Sequence, residues 1–162
     1  MANRREIDFT NYAEVALSRD HLLVVADEAG NVNVMTVAWR AIGELWQRPV
    51  AIVAVAPARY SFEFLMGPVK EFTLNVMPAS MRDVVSGCGT LSGRDVDKVQ
   101  EFGLELVPGT KIRVPTLGQA DLCYECKIIH TADSGALAPH TLFIGHIVAA
   151  FASETLASKK KK

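Results

Sequence analysis

Apolar and polar residues alternate along much of this chain with the two-residue period of β-strands. The apolar run at residues 21–26, the turn residues 29–31 and the alternating stretch 32–39 together predict a β-hairpin. A valine-rich run at residues 50–56 predicts a buried strand that stops at Pro57, because proline has no N–H to donate to a neighbouring strand. The first third of the chain is therefore predicted to be mainly strand.

The rest of the chain continues this pattern, with only short helices between the strands. Apolar runs predict further strands at residues 72–76, 122–129 and 142–151. Short helices are predicted at residues 12–19, 62–66, 81–85 and 95–102. Because strands and long helices do not alternate regularly, we predict a mainly β fold, an antiparallel β-barrel with short helices, rather than a doubly wound sheet.

The segment after Pro57 places a cation and a hydroxyl group at the start of a short helix. Arg59, Tyr60 and Ser61 come first, and Gly67 ends the helical spacing. A guanidinium group, a hydroxyl group and unpaired helix N–H groups in one place are suited to binding a phosphate. A surface arginine beside a serine cap would give the same pattern, so from the residues alone both interpretations stay open.

Length and charge limit the classes of protein to which the chain can belong. With 162 residues, 49% of them hydrophobic, it is predicted to form one domain over residues 1–155, followed by a disordered lysine-rich tail at residues 156–162. A net charge of −1 argues against nucleic acid or a membrane surface as a partner. The first residues lack the apolar segment of a secretion signal, and no apolar run is long enough to span a membrane, so we expect a cytoplasmic protein.

The spacing of the cysteines and histidines does not predict a metal site. Cys123 and Cys126 have the C-x-x-C spacing of redox and zinc sites, but they lie in a predicted strand. Residues an odd number apart face opposite sides of a sheet, so we expect the two sulfurs to diverge and the cysteines to be structural. The histidines at positions 130, 140 and 146 also lack a recognised ligand spacing.

Two further stretches leave alternatives open. The glycine-rich residues 87–93 lack the G-x-G-x-x-G spacing of a dinucleotide-binding loop. They either allow a flat or anionic ligand to approach the backbone closely or form a flexible connector. The polar and aromatic residues within 33–39 either meet a ligand or form an ordinary exposed strand face.

Taken together, six stretches of the chain resemble, in the same order, the flavin reductase-like proteins of the FMN-binding split-barrel superfamily, within it the flavoredoxin-like branch. The matching stretches are NVMTVAW at residues 33–39, P-x-R-Y-S at 57–61, EFTLNVMP at 71–78, CGTLSGRDVDK at 88–98, YECK at 124–127 and HTLFIGHIVA at 140–149. The resemblance implies a six-stranded Greek-key split barrel with a few helices, and a homodimer with FMN bound near the dimer interface.

The resemblance also implies which residues surround the FMN. Its phosphate would be held by Arg59 and Ser61, with Tyr60 between them, which agrees with the phosphate interpretation above. The isoalloxazine ring or the ribityl chain would be bordered by residues of the first hairpin, namely Asn33, Met35, Thr36, Ala38 and Trp39. The rim and the face of the ring would be reached by Asn75, Ser92, Gly93 and Lys98.

The implied activity is that of an FMN-dependent oxidoreductase that passes hydride or electrons through the bound flavin, with NAD(P)H as a candidate donor. His140 matches a histidine on the nicotinamide side in NADH-using relatives and is the candidate catalytic residue. The chain departs from the family pattern at Val99, at His146 and in residues 134–139, and these departures weaken the case for a nicotinamide donor. The alternative is an FMN-binding electron carrier or sensor module without its own NAD(P)H turnover, served by a redox protein partner.

Overall fold

The computed structural model describes residues 3–159, and most of its regular structure is antiparallel strand. Within these residues the strands are β1 (Arg4–Glu6), β2 (His21–Ala26), β3 (Val32–Val37), β4 (Arg40–Leu45), β5 (Arg48–Val55), β6 (Glu71–Val76), β7 (Leu106–Val107), β8 (Thr116–Leu117), β9 (Leu122–Asp133) and β10 (Thr141–Ser153). The α-helices are α1 (Ala13–Ser18), α2 (Tyr60–Met66), α3 (Arg82–Thr90), α4 (Lys98–Glu101) and α5 (Glu154–Lys159). The predicted mainly β fold with short helices is confirmed.

Most of the strands belong to one curled sheet with the order β3-β2-β6-β9-β10-β5-β4. The long strand β10 pairs with β9 along one edge, and along the other edge it pairs first with β5 and then with β1. β3, at one end of the strand order, contacts β5 near the other end, so the sheet curls into a barrel. The resemblance implied six strands, whereas the described sheet has eight, with the short β7–β8 pair apart from it.

The barrel sheet buries apolar side chains on both of its faces. An interior cluster includes Leu23, Phe72 and Phe143, and a separate outer cluster includes Leu22 and Val114. Leu22 and Leu23 belong to different clusters because successive strand residues point to opposite faces. The outer cluster is covered by α3 and by residues 104–120, so neither face of the strands at the centre of the sheet is left in water.

The same alternation separates the two cysteines of the C-x-x-C stretch. Cys126 belongs to the interior cluster and Cys123 to the outer cluster, which confirms that their sulfurs diverge. Burial raises the pKa of Cys123 to about 12 and raises that of Cys126 well above its ordinary value, so both thiols stay protonated. Among residues 3–159, no group of three His, Cys, Asp or Glu side chains is placed to hold a metal ion.

Three buried polar side chains on the outer face fasten residues 108–118 to the sheet; we call them the anchoring network. They are Thr73 and Asn75 of β6 and Glu125 of β9. Thr73 donates to the carbonyl of Pro115 at 2.7 Å, and the Asn75 amide oxygen accepts from the Leu117 N–H at 3.0 Å. The Glu125 carboxylate accepts from backbone N–H groups at distances of 2.8 and 2.9 Å.

The glycine-rich stretch differs from its predicted form, because residues 87–90 lie in α3 rather than in a loop. A Cβ on Gly87 would overlap the ring of Phe102, and a Cβ on Gly89 would lie 3.2 Å from Thr36. The two glycines therefore let the helix approach its neighbours closely, and this tertiary packing outweighs the low helix propensity of glycine.

The end of the described chain also differs from its prediction. Residues 154–159 form α5, which buries Leu156 and Ala157, so the predicted disordered tail is helical as far as Lys159. The rest of the predicted tail, residues 160–162, lies outside the described residues. Within the described part of the chain, none of the helices has the length and apolar character that crossing a membrane requires.

Candidate functional site

A small cavity opens where the first half of β3 meets the start of α2, with a volume of about 120 Å³. One wall is the turn and helix start at residues 58–61, and the facing wall is the segment at residues 90–93. The floor is formed by Asn33 and Met35 of β3 together with Lys98 at the start of α4. Asn33 and Met35 are two residues apart, so both point to the same face of the strand.

A buried hydrogen bond joins β3 to α2 at the base of this cavity. The Asn33 side-chain amide donates to the Ser61 hydroxyl oxygen at 2.8 Å, and both residues are buried. Ser61 also carries its own hydroxyl proton, so it can donate to a ligand while it accepts from Asn33. The cavity therefore holds a hydroxyl donor in a fixed position.

Two cations border the cavity, and neither is paired with a carboxylate in the described part of the chain. Arg59 donates to the carbonyl of Gly89 at 3.2 Å, and Lys98 donates to the carbonyl of Cys88 at 2.8 Å. Lys98 is only 5% exposed. An arginine and a buried lysine that each still have N–H donors to offer are chemically suited to an anion.

The burial of Lys98 also changes its proton affinity. Its pKa is lowered chiefly by burial; the neighbouring Cys88 partly offsets this, and the charge of Arg59 lowers it further. Burial raises the pKa of the Cys88 thiol to about 11, against the opposing effect of the Lys98 charge, so this sulfur is a neutral neighbour at physiological pH. An anion bound between the two cations would favour protonated Lys98 and reverse part of the shift.

Gly93 is required by the close packing of the second wall. A Cβ at this position would overlap the amide oxygen of Asn33 and would lie 2.9 Å from Cδ1 of Tyr60. Any other residue would push the segment away from β3 and α2. The segment at residues 91–93 therefore lies directly against both of the elements that carry the Asn33–Ser61 hydrogen bond.

Most of the residues predicted for the site are brought together here. The cavity is lined by eight of them, namely Asn33, Met35, Arg59, Tyr60, Ser61, Ser92, Gly93 and Lys98. Three further residues line the cavity, namely Ala58, Thr90 and Leu91, and the sequence does not mark them as ligand-binding although all three lie within or beside the quoted stretches. The sequence also does not mark Arg94, which contacts the first wall from the end of the second.

Three predicted residues of the first hairpin lie outside this lining. Thr36 points to the opposite face of β3 from Asn33 and Met35, and its hydroxyl donates to the carbonyl of Val85 in α3. Ala38 and Trp39 follow the end of β3 and are exposed, with Trp39 65% accessible. Thr36 thus fastens α3 beside the cavity, and Ala38 and Trp39 lie on the molecular surface.

Asn75 and His140 also lie outside the lining. Asn75 was expected at the rim of a ring, but it is fully buried in the anchoring network, where its amide donates to the carbonyl of Leu22 and to the Thr73 hydroxyl. His140 is half-buried in the turn before β10, and its backbone N–H donates to the Ser134 hydroxyl oxygen at 3.2 Å. The first strand pair of β10, Thr141 with Val55, brings this turn to the end of β5 from which residues 57–59 continue.

The fold is an antiparallel barrel with a cavity bordered by two cations, and comparison with known proteins gives the family. The family model described as a flavin reductase-like domain matches residues 16–160. An uncharacterized protein of Pyrococcus abyssi is 34% identical over 128 residues, which cover 78% of this chain and 70% of that protein. The chain therefore belongs to the flavin reductase-like family.

Solved structures give the same fold. The flavoredoxin of Desulfovibrio vulgaris superposes with a TM-score of 0.75 at 27% identity, covering 85% of this chain and 70% of that one. An FMN-binding protein from Thermus thermophilus, solved with bound 1-cyclohex-2-enone, superposes with a TM-score of 0.74 at 28% identity, covering 85% of this chain and 72% of that one. The split-barrel fold implied by the resemblance is confirmed.

Proposed function

We propose that this chain binds FMN and that the cavity between residues 58–61 and 90–93 receives the phosphate. The observation that carries the proposal is the pair of cations, Arg59 and Lys98, beside the buried Ser61 hydroxyl, without a carboxylate partner among the described residues. A phosphate monoester carries about −1.5 to −2 charges and three acceptor oxygens. The donors around the cavity complement that charge and those acceptors.

The size of the cavity supports the phosphate end of the ligand rather than the whole of it. Sites that enclose a drug-sized molecule usually measure about 300–1,000 Å³, whereas this cavity measures about 120 Å³. The ring system of FMN would therefore lie over the rim, against surface that one chain leaves open. We propose that a second copy of the chain covers that surface, so that the flavin lies near the interface of a homodimer.

The proposed activity is that of an oxidoreductase. A bound flavin supplies the capacity to accept and release hydride or electrons, while the protein supplies position, exclusion of water and electrostatics. In this chain Arg59 and Ser61 would fix the phosphate and so orient the rest of the ligand. The resemblance implies that Lys98 approaches the ring, but Lys98 lines the same cavity as Arg59 and Ser61 and would add a third donor to the phosphate. NAD(P)H or a redox protein partner would deliver the electrons.

The second candidate function is that of an electron carrier or sensor without its own NAD(P)H turnover. The turn before β10 favours it, because the departures at residues 134–139 lie beside the candidate nicotinamide-side residue His140. An anaerobic absorption spectrum separates the two functions. Rapid bleaching of the flavin band by NADH or NADPH supports a reductase, whereas bleaching by dithionite alone supports a carrier.

Replacing Arg59 tests the phosphate assignment. Arg59→Ala removes a charged donor at the surface, so we expect FMN affinity to fall by about tenfold to a hundredfold with little change in unfolding temperature. Quenching of FMN fluorescence measures the affinity. Arg82→Ala is the matched control, because Arg82 is exposed on α3 and carries the same charge. Unchanged FMN affinity in Arg59→Ala would contradict the assignment of the phosphate to this cavity.

A further inference from the structure

Arg94 joins the two walls of the cavity through three contacts. Its Nη2 lies 2.6 Å from Oε1 of Glu63 in α2, and its Nη1 donates to the carbonyl of Ala58 at 3.3 Å. Its guanidinium carbon lies 5.1 Å from the centre of the Tyr60 ring. All three partners belong to the first wall or to the helix that continues it, while Arg94 follows the last residue of the second wall.

Arg94 follows the segment at residues 91–93, which already packs tightly against β3 and α2. Gly93 lies so close to Asn33 and Tyr60 that a Cβ would not fit. Movement of the segment towards Asn33 and Tyr60 is therefore blocked, and the contacts of Arg94 oppose movement the other way, away from α2. An outward movement would widen the gap between residues 58–61 and 90–93, which are the two facing walls of the cavity.

We propose that Arg94 is a positioning residue that holds residues 91–93 against α2 and so slows the release of the phosphate-bearing ligand. This inference rests on the proposed FMN binding and adds a control on its kinetics. Arg94 does not line the cavity itself. Its effect on the ligand passes through the separation of the two walls.

The chemistry of the contacts predicts an effect on release rather than on folding. The side chains of Arg94 and Glu63 are 44% and 58% exposed, and exposed ion pairs contribute little to the stability of a fold. Arginine is suited to this position because its planar group can donate in two directions while its charge lies over an aromatic ring. Lysine would retain the charge and lose that geometry.

The dissociation rate of FMN measures the effect directly. The complex is diluted rapidly, and the recovery of FMN fluorescence gives the rate constant. We expect Arg94→Ala to accelerate release by about tenfold, the combined effect of an exposed ion pair, a cation–π contact and a hydrogen bond. Arg94→Lys should lie nearer to Arg94→Ala than to the unaltered protein. If Arg94→Lys releases FMN as slowly as the unaltered protein, charge alone explains the slow release and the proposal is overturned.

Glu63→Gln separates positioning from general electrostatics, because the two predict opposite signs. If only the field at the cavity mattered, removing a negative charge near a bound anion would slow its release. If Arg94 needs its carboxylate partner, Glu63→Gln accelerates release, by about threefold. Slower or unchanged release in Glu63→Gln overturns the proposal.

Arg82→Ala controls for the loss of one positive charge elsewhere on the surface. It should release FMN at the unaltered rate, and acceleration equal to that of Arg94→Ala would overturn the proposal. The unfolding temperature of the ligand-free variants should stay close to that of the unaltered protein; a large decrease would assign Arg94 a structural role instead. An unaltered protein that binds no FMN overturns the proposed function as well, whereas FMN binding with uniform release rates overturns this inference alone.

Discussion

Two regions of the molecule bury polar side chains, and they use them in different ways. In the anchoring network, Thr73, Asn75 and Glu125 direct their hydrogen-bonding atoms at the backbone of residues 110–117. In the cavity at the start of α2, Arg59 and Lys98 each donate to one carbonyl and still have N–H groups to offer. The first region uses its polar atoms within the protein, and the second leaves donor capacity beside a cavity.

The difference shows why burial of a polar residue does not by itself indicate a binding site. A buried polar group is costly unless it is paired, so the usual outcome is a closed network such as the one around Asn75. A cationic donor that keeps spare capacity beside a cavity needs a partner from outside. Donor capacity left over beside a cavity, as at the buried Lys98, therefore distinguishes the second region from the first.

The largest expected effect is on the stability of the anchoring network. Glu125→Ala removes the acceptor of the Thr110 and Lys111 N–H groups, and we expect the free energy of unfolding to fall by about 3 kcal/mol. FMN affinity, measured where the variant is folded, should be unchanged. Urea unfolding and fluorescence titration measure the two quantities. Weakened FMN binding in folded Glu125→Ala would mean that the two regions are not independent.

The next effect is a pH dependence confined to the cavity. The pKa of Lys98 is lowered, mainly by burial, and the protonated form is the one that binds an anion. FMN affinity should therefore fall as pH rises through that lowered pKa, before an ordinary lysine would deprotonate. Titrations between about pH 7 and pH 10 should show this decline, since the unperturbed lysine pKa is about 10.4.

Substitutions in the two regions sharpen this test. Lys98→Gln should remove the decline at alkaline pH and weaken binding at neutral pH by about tenfold. Lys111→Gln makes the same change of charge beside the anchoring network and keeps the backbone N–H that donates to Glu125. Because Lys111 does not line the cavity, the decline should stay in place. An identical pH profile in Lys98→Gln and the unaltered protein would assign the decline to another group.

The smallest expected effect is at His140, which lies outside both regions. His140→Ala keeps the backbone hydrogen bonds of the turn, so FMN affinity should be unchanged. If the chain uses NADH, its KM should rise by about threefold, the effect of losing one exposed hydrogen bond. Steady-state kinetics with NADH measures this change. Loss of FMN affinity in His140→Ala would mean that His140 contacts the flavin directly, although it lies outside the cavity lining.

Much of the fold could be predicted because strand periodicity is a local property. The hairpin of β2 and β3, the buried strand β5 and the divergence of Cys123 and Cys126 all follow from alternation with period two. The helix through residues 87–90 could not be predicted in this way. Its glycines allow close contacts with Phe102 and Thr36. Those two residues lie too far along the chain for a local pattern to reveal the contacts.

The site was predictable where position along the chain also fixed position in space. Arg59, Tyr60 and Ser61 are adjacent, and Asn33 and Met35 share a strand face, so both groups reach the cavity together. The prediction that Asn75 reaches the flavin rim differs from its buried position, because the sequence of β6 does not show that residues 108–118 cover this strand. Arg94 was missed because its partner Glu63 is 31 positions away and no local pattern links them.

The separation of the cysteines gives the molecule internal reporters of local opening. Cys126 lies in the interior cluster, whereas Cys123 and Cys88 lie in the outer cluster, Cys88 within α3 beside the cavity. A thiol reagent can modify each sulfur only after its own layer has opened. Labelling rates would therefore time the opening of the barrel and of its covering layer separately, without any introduced probe.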